Sequence, residues 1–133
     1  MSTVFADTFY FLGLLNRSDE SHSRCKRLAA EFDGHLLSTD YVVLEVADAL
    51  ATPNHRVGTA RFLRQLRATF SVRIIPASEN LLSRALDLYE ARPDKERSLT
   101  DCTSFVVMQE HELTDAATGD RHFEQAGFKA LLI

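Results

Sequence analysis

The chain has 133 residues, of which 45% are hydrophobic and 26% charged, and its formal net charge is −4 at pH 7. This length suits one domain, 1–133, and the composition is that of a globular protein rather than a disordered or fibrous one. The sequence has no run of about 18 apolar residues, which argues against a membrane span and predicts a cytoplasmic protein. The two cysteines lie far apart and the five histidines do not cluster. The pattern therefore excludes a zinc site and favours two reduced thiols in or near the core.

Short apolar strands alternate with amphipathic helices along the whole chain. The predicted strands are residues 4–6, 36–37, 70–75, 116–118 and 130–133. The predicted helices are residues 8–15, 18–32, 41–50, 57–69, 79–91, 99–111 and 123–126. Side chains suited to capping precede three of these helices, at Ser38-Thr39-Asp40, Ser78 and Ser98. Because strands and helices alternate at this rhythm, we expect a three-layer α/β/α sandwich around a mostly parallel central sheet.

The helix predicted at 8–15 is apolar around most of its circumference, since nearly all its residues are Phe, Tyr or Leu. One face can pack on the sheet, and the other would then be exposed on a monomer. Exposed apolar patches usually mark interfaces, so this helix predicts a homodimer with two-fold symmetry. The alternative is a helix buried on all sides within one chain.

The region between Asp48 and Glu79 contains arginines but no acidic residue. Arg61, Arg64 and Arg67 are three residues apart and therefore share roughly one face of the helix predicted there. Such a face predicts contacts with phosphate groups. The alternative is an ordinary solvated helix face.

Four acids lie at or after the ends of predicted strands. Asp7 ends the first strand, Glu45 lies in the helix after the second, Asp101 begins the helix at 99–111, and Asp120 follows the fourth strand. In a parallel sheet these positions lie along the carboxyl edge, where ligands bind at the topological switch point. Acids gathered there raise one another's pKa unless a cation compensates. Mg²⁺ or Mn²⁺ suits such oxygen ligands, and either ion can promote displacement at phosphorus.

Each acid also has an ordinary structural interpretation when it is considered alone. Asp7 suits a helix cap, Asp120 a turn, and Glu45 a solvated helix residue. Asp101 comes three residues after Ser98, which is the spacing of a capping box. Only the set of four points to a metal site.

Four segments carry the acids together with their neighbours. They are 4–8 (VFADT), 39–45 (TDYVVLE), 98–105 (SLTDCTSF) and 118–128 (TGDRHFEQAGF). In this order and spacing they resemble the PIN domain, and within it the VapC-type toxins of toxin–antitoxin pairs. The resemblance covers nearly the whole chain, and the last two segments are its most specific part.

The resemblance implies a metal-dependent endoribonuclease that cleaves RNA phosphodiester bonds, with Mg²⁺ or Mn²⁺ held by the four acids. It places Thr118 at a hydroxyl position that can orient the fourth acid, and it makes the arginine face a candidate RNA contact. It also implies a homodimer and an antitoxin partner that inserts a basic side chain among the acids. Many relatives carry an aromatic residue where this chain has Arg97, so we expect substrate contacts to differ there.

Other functions fit the sequence less well. A phosphatase of the haloacid dehalogenase type needs a second aspartate two residues after Asp7, where this chain has Phe9. A receiver domain needs an acidic pair and a later lysine that we cannot place. An RNA-processing nuclease without an antitoxin would show the same motifs, and a non-catalytic scaffold or RNA-binding module of the same fold would be free to lose the acids.

Overall fold

A five-stranded sheet forms the centre of the fold, and all its strand pairs are parallel. The computed structural model describes residues 2–133. The strands are β1 (Thr3–Ala6), β2 (His35–Thr39), β3 (Val72–Ile75), β4 (Asp115–Ala117) and β5 (Lys129–Ala130). The helices are α1 (Thr8–Leu15), α2 (His22–Glu31), α3 (Asp40–Ala49), α4 (Pro53–Ala68), α5 (Glu79–Ala91), α6 (Leu99–Glu110) and α7 (Arg121–Gln125). Within residues 2–133, no helix combines the length and apolar character needed to cross a membrane.

The strand order is β3-β2-β1-β4-β5, so the chain first moves outward from β1 in one direction and then returns to its other side. Because crossovers between parallel strands are right-handed, the two directions put helices on opposite faces of the sheet. The predicted three-layer α/β/α fold is thus confirmed. The neighbouring strands β1 and β4 have connections that run in opposite directions, so their carboxyl ends form the topological switch point.

Hydroxyl caps begin three helices as the sequence predicts. The side chain of Thr39 accepts a hydrogen bond from the N–H of Val42 at the start of α3. Ser78 does the same for α5, and Ser98 for α6. Each cap satisfies an N–H that has no partner inside its helix, which fixes the point where the chain leaves the sheet edge and becomes helical.

Two helices begin elsewhere than predicted. α2 begins at His22 rather than at residue 18, because the side chains of Asn16 and Asp19 accept backbone hydrogen bonds of 3.0 and 2.7 Å and hold the preceding residues in turns. α4 begins at Pro53 rather than at residue 57. Proline fits the first helical position because the N–H it lacks would have no helical partner there.

The two edge strands are shorter than predicted. β3 begins at Val72, and Phe70, which the sequence assigns to this strand, lies outside it with 98% of its surface exposed. β5 ends at Ala130 instead of continuing to residue 133. The chain turns after Ala130, and the guanidinium of Arg24 donates a hydrogen bond to the carbonyl of Leu132.

Aromatic side chains and small residues close the core. The rings of Phe105 and Phe123 are fully buried and meet edge to face, with 4.9 Å between their centres. Cys25 and Cys102 are buried free thiols, as predicted. Gly13 allows α1 and α2 to approach closely, since a Cβ atom there would lie 2.3 Å from the Sγ of Cys25.

Helix α1 is only partly covered by the rest of the chain. Tyr10 and Phe11 are buried, and the Phe11 ring faces Phe62 of α4 at 6.1 Å between centres. Phe9 packs against Gly119, where a Cβ atom would lie 2.4 Å from its ring. Leu12, Leu14 and Leu15, by contrast, are only partly buried. Helix α1 is therefore neither fully buried nor fully exposed within one chain, so the homodimer predicted from it stays a prediction.

Candidate active site

The sheet edge and three helix starts gather the predicted acids. Asp7 directly follows β1 and is the N-cap residue of α1, while Asp120 comes shortly after β4 and is the N-cap residue of α7. Asp101 lies in the first turn of α6, and Glu45 lies in the middle of α3. Since β1 and β4 are neighbours at the switch point, the topology alone brings Asp7 and the loop of Asp120 together.

Thr118 links the first acid to the fourth. Its hydroxyl Oγ1 donates a hydrogen bond of 2.7 Å to Asp7 Oδ2 and accepts one of 3.0 Å from the backbone N–H of Asp120. Thr118 is fully buried and Asp7 is 4% exposed. One hydroxyl therefore orients the carboxylate of Asp7 and holds the backbone of Asp120, whereas the sequence predicts that it orients the fourth acid.

Asp101 is held by a capping box. Ser98 Oγ accepts a hydrogen bond of 3.0 Å from the N–H of Asp101, and Asp101 Oδ2 accepts one of 3.1 Å from the N–H of Ser98. The structural interpretation of Asp101 is thus correct. It leaves room for a second role, because a carboxylate has two oxygens and the box uses Oδ2.

Glu45 is tied to helix α1. Thr8 Oγ1 donates a hydrogen bond of 2.5 Å to Glu45 Oε1, and Glu45 is half-buried. The interpretation of Glu45 as a freely solvated helix residue is therefore wrong. Because Thr8 directly follows Asp7, this bond also fixes the first acid relative to the second.

The pKa values link all four carboxylates in one cluster. The pKa of Asp7 is raised to about 7, mainly by burial and also by the negative charges of Asp101 and Asp120, against the lowering effect of the Thr118 hydrogen bond. Burial also raises the pKa of Asp101, and Asp120 and Glu45 add to that rise. Carboxylates that raise one another's pKa in this way carry a charge that the surrounding chain does not neutralise.

Residues 4–129 match the sequence pattern of the PIN domain. The chain belongs to the PIN-domain family. It is 29% identical over 127 residues to the 23S rRNA-specific endonuclease VapC20 of Mycobacterium tuberculosis, a match that covers 94% of this chain and 95% of the relative.

Solved structures resemble this PIN domain over most of their length. The crystal structure of Mycobacterium tuberculosis VapC20, described as a sarcin–ricin loop cleaving toxin, matches with a TM-score of 0.86, 27% identity and 96% coverage of both chains. FitAcB from Neisseria gonorrhoeae matches with a TM-score of 0.72 and 18% identity over 96% of this chain and 95% of its own. A toxin–antitoxin complex from Klebsiella pneumoniae matches with a TM-score of 0.61 and 17% identity over 89% and 87%. The last two likenesses show the fold alone.

His122 lies among the acids of this PIN domain, although the sequence analysis does not select it. Its Nδ1 is 3.2 Å from Asp120 Oδ1 and 3.5 Å from Asp101 Oδ2. Its backbone N–H also donates a hydrogen bond of 2.9 Å to Asp120 Oδ1. The two-residue spacing between Asp120 and His122 could have revealed this histidine, because a residue two positions after an N-cap acid lies in the first turn of the helix, beside the cap.

The donor atoms at this site fit a hard divalent cation. Asp101, Asp120 and His122 each offer one ligand atom, and these atoms lie within 4.8 Å of one another. Within residues 2–133, no lysine or arginine forms an ion pair with any of the four acids. A site rich in carboxylate oxygen and poor in protein cations is one that Mg²⁺ or Mn²⁺ suits.

The three arginines of α4 differ in their surroundings. Arg67 forms an ion pair of 2.5 Å with Asp40, whose second oxygen accepts a 3.0 Å hydrogen bond from the N–H of Ala77. Arg61 and Arg64 are exposed, and no ion pair or side-chain hydrogen bond involves them within residues 2–133. Arg67 therefore joins helix α4 to the start of α3, so the predicted three-arginine face keeps only two uncommitted members.

Proposed function

We propose that this PIN domain is a metal-dependent endoribonuclease and the toxin of a toxin–antitoxin pair. The observation that carries the proposal is the cluster of Asp7, Glu45, Asp101 and Asp120 at the switch point, in which burial and mutual repulsion raise the pKa of two members. Such a cluster of negative charges costs folding free energy unless a cation offsets it. Carboxylates with raised pKa values are also typical of functional sites. The likeness to the VapC20 endonuclease over 94% of the chain supports the same conclusion.

We assign metal binding and catalysis to the four acids, with His122 as a further ligand or proton carrier. A bound Mg²⁺ or Mn²⁺ supplies positive charge that offsets the carboxylates and lowers the barrier to attack by water on a phosphodiester. The chain's own contribution is orientation: Thr118 holds Asp7, Thr8 holds Glu45, and Ser98 holds Asp101.

The substrate class we propose is a looped region of ribosomal RNA. VapC20 is described as specific for 23S rRNA and as cleaving the sarcin–ricin loop. An rRNA substrate also agrees with a cytoplasmic location. Arg61 and Arg64 are exposed cations that are free to contact the RNA backbone, whereas Arg67 is already engaged by Asp40.

Cleavage of a sarcin–ricin stem-loop RNA tests the proposal. We expect cutting with Mg²⁺ or Mn²⁺, none in EDTA, and loss of activity in Asp101→Asn, which removes a ligand charge with little change in volume. Asp48→Asn is the matched control, because Asp48 is an exposed acid at the end of α3. Cleavage by Asp101→Asn at the native rate would contradict the site, and native protein that cuts no RNA with either ion would contradict the function.

The partner we propose is an antitoxin that places a basic side chain among the four acids. Charge-assisted hydrogen bonds to several carboxylates would displace the metal and stop cleavage. A small DNA-binding protein encoded immediately upstream is the expected candidate. Co-expression of that protein should relieve growth arrest caused by the native chain, and an unrelieved arrest would leave a nuclease without an antitoxin as the better description.

A further inference from the structure

Arg97 is a nearly buried cation whose Nε has no hydrogen-bond partner within residues 2–133. It is 7% exposed, and its guanidinium lies over the ring of Phe105 at 5.4 Å from the ring centre. Its Nε is buried and makes no hydrogen bond, and within residues 2–133 no carboxylate forms an ion pair with the side chain. Arginine remains charged in proteins, so this charge persists in a nearly buried position.

Contact with Phe105 offsets only part of the cost of burying that charge. A cation over an aromatic ring is stabilised, but a buried guanidinium ordinarily also donates hydrogen bonds to an anion or a carbonyl oxygen. A ligand that brings an anionic acceptor would complete the set. Phosphate matches the planar fork of arginine donors, as carboxylate also does.

A cavity of about 690 Å³ opens beside Arg97, between the end of α5 and the loop at 92–97. Tyr89, which is 52% exposed, lines this cavity, and so does Lys95. Glu90 and Glu96 lie at the same cavity, so it is not a uniformly basic surface. Arg92, although it lines the cavity, is already bonded to Asp94 through two nitrogens.

Arg97, which lines the cavity, is next in the chain to a residue that contacts the acid cluster. Arg97 immediately precedes Ser98, and the N–H of Ser98 donates the 3.1 Å hydrogen bond to Asp101 Oδ2. The peptide unit that links Arg97 to Ser98 thus contacts a predicted metal ligand directly. Arg97, at the wall of the cavity, is therefore one residue along the chain from the capping box that holds Asp101.

We propose that Arg97, Lys95 and Tyr89 form a subsite for a nucleotide next to the scissile phosphate, a proposal that rests on the RNA-cleaving function above. The guanidinium of Arg97 donates to a phosphate of the single strand, the ammonium of Lys95 adds positive charge, and the Tyr89 ring stacks on the base. Aromatic stacking and cationic contacts with the backbone are the usual means of holding single-stranded RNA. The subsite selects for an unpaired nucleotide, because a base in a helix has no free face to stack on Tyr89.

Binding of a fluorescein-labelled sarcin–ricin stem-loop RNA in EDTA, followed by anisotropy at several salt concentrations, tests the subsite apart from cleavage. We expect Arg97→Met to raise the Kd about ten-fold and to reduce the salt slope by about 0.7, the share of one phosphate contact. Tyr89→Ala should raise the Kd about ten-fold without changing that slope. Arg84→Gln is the control, because Arg84 lies on α5, as Tyr89 does, but pairs with Glu110. This variant should bind the RNA with the native Kd.

Thermal unfolding separates this role from a purely structural one. Arg97→Met keeps an apolar chain over Phe105 and removes an uncompensated charge, so its Tm should equal or exceed that of the native protein. In cleavage with Mg²⁺, KM should rise while kcat changes little. A large fall in Tm would instead identify Arg97 as a structural residue and overturn the assignment.

The failure of this proposal is distinguishable from failure of the nuclease function. If native protein cleaves RNA and both Arg97→Met and Tyr89→Ala bind it with the native Kd, the subsite is wrong and the function stands. If these variants bind RNA normally but escape neutralisation by the antitoxin, the cavity is a peptide site and the proposal is overturned. If native protein binds RNA without cutting it, and the variants bind more weakly, the subsite stands while the nuclease function fails.

Discussion

Replacement of Asp7 by asparagine is expected to stabilise the metal-free protein at alkaline pH. The folded protein holds the pKa of Asp7 at about 7, compared with its ordinary value of 3.8, because the side chain is buried near Asp101 and Asp120. Asparagine has nearly the same shape and can still accept the hydrogen bond from Thr118. It cannot ionise, so it avoids the cost of a buried charge.

The size and the pH window follow from the two pKa values. Well below pH 3.8 the Asp7 carboxyl is protonated in both the folded and the unfolded chain, so it contributes no difference. As the pH rises from there to about 7, the unfolded chain ionises while the folded chain retains its proton, and native stability falls. Above pH 7 the loss is complete and is on the order of 4 kcal/mol, since each pKa unit corresponds to about 1.4 kcal/mol.

Urea unfolding in EDTA at pH 8 and at pH 4 measures this difference, and circular dichroism suits a chain that has no Trp. Asp7→Asn should be more stable than the native protein by up to about 4 kcal/mol at pH 8, and the two should nearly agree at pH 4. Mg²⁺ should raise native stability more than that of the variant, because it binds the folded carboxylates. The exposed Asp48→Asn serves as the control. The reasoning would be refuted if Asp7→Asn were no more stable than the native protein at pH 8. It would also be refuted if the free energy of unfolding differed from the native value by the same amount at both pH values.

Three further outcomes are expected. Thr118→Val removes the hydroxyl that holds Asp7 and Asp120, so RNA cleavage should fall about ten- to a hundred-fold, and an initial rate near the native one would contradict the orienting role. Arg61→Gln combined with Arg64→Gln should reduce the salt slope of RNA binding by about 1.4, whereas Arg67→Gln should leave the slope unchanged and cost less than about 1 kcal/mol of stability. Light scattering should give twice the 15.0 kDa of one chain, and a mass that stays at one chain on concentration would contradict the homodimer.

Local signals predict much of the fold because they act within a few residues. Thr39, Ser78 and Ser98 cap the helices that the sequence assigns to them, since an N-cap bond spans only three residues. The alternation of strands and helices is likewise local, and the parallel sheet follows from it. Boundaries were less accurate where side chains formed turns instead, as Asn16 and Asp19 do before α2.

Features that depend on distant parts of the chain could not be predicted in this way. The pairing of Arg67 with Asp40 joins residues on different helices, and nothing in the spacing of the arginines reveals it. The partial burial of α1 depends on α2, α3 and Phe62, whose positions follow only from the folded topology. The burial of Arg97 over Phe105 is similar, because an arginine in a charged loop is expected to be solvated.

The structural and the functional interpretations of the acids describe the same geometry. Asp101 closes a capping box through Oδ2, and Asp120 caps α7 by accepting the N–H of His122 at Oδ1. Asp7 is held by Thr118, and Glu45 by Thr8. In each acid, one oxygen is fixed by a donor of the chain, while a carboxylate has acceptor capacity for more than one partner. A capping hydrogen bond orients a carboxylate before any ion binds and leaves it able to accept a metal. The capping-box spacing of Ser98 and Asp101 is therefore compatible with a metal site at Asp101.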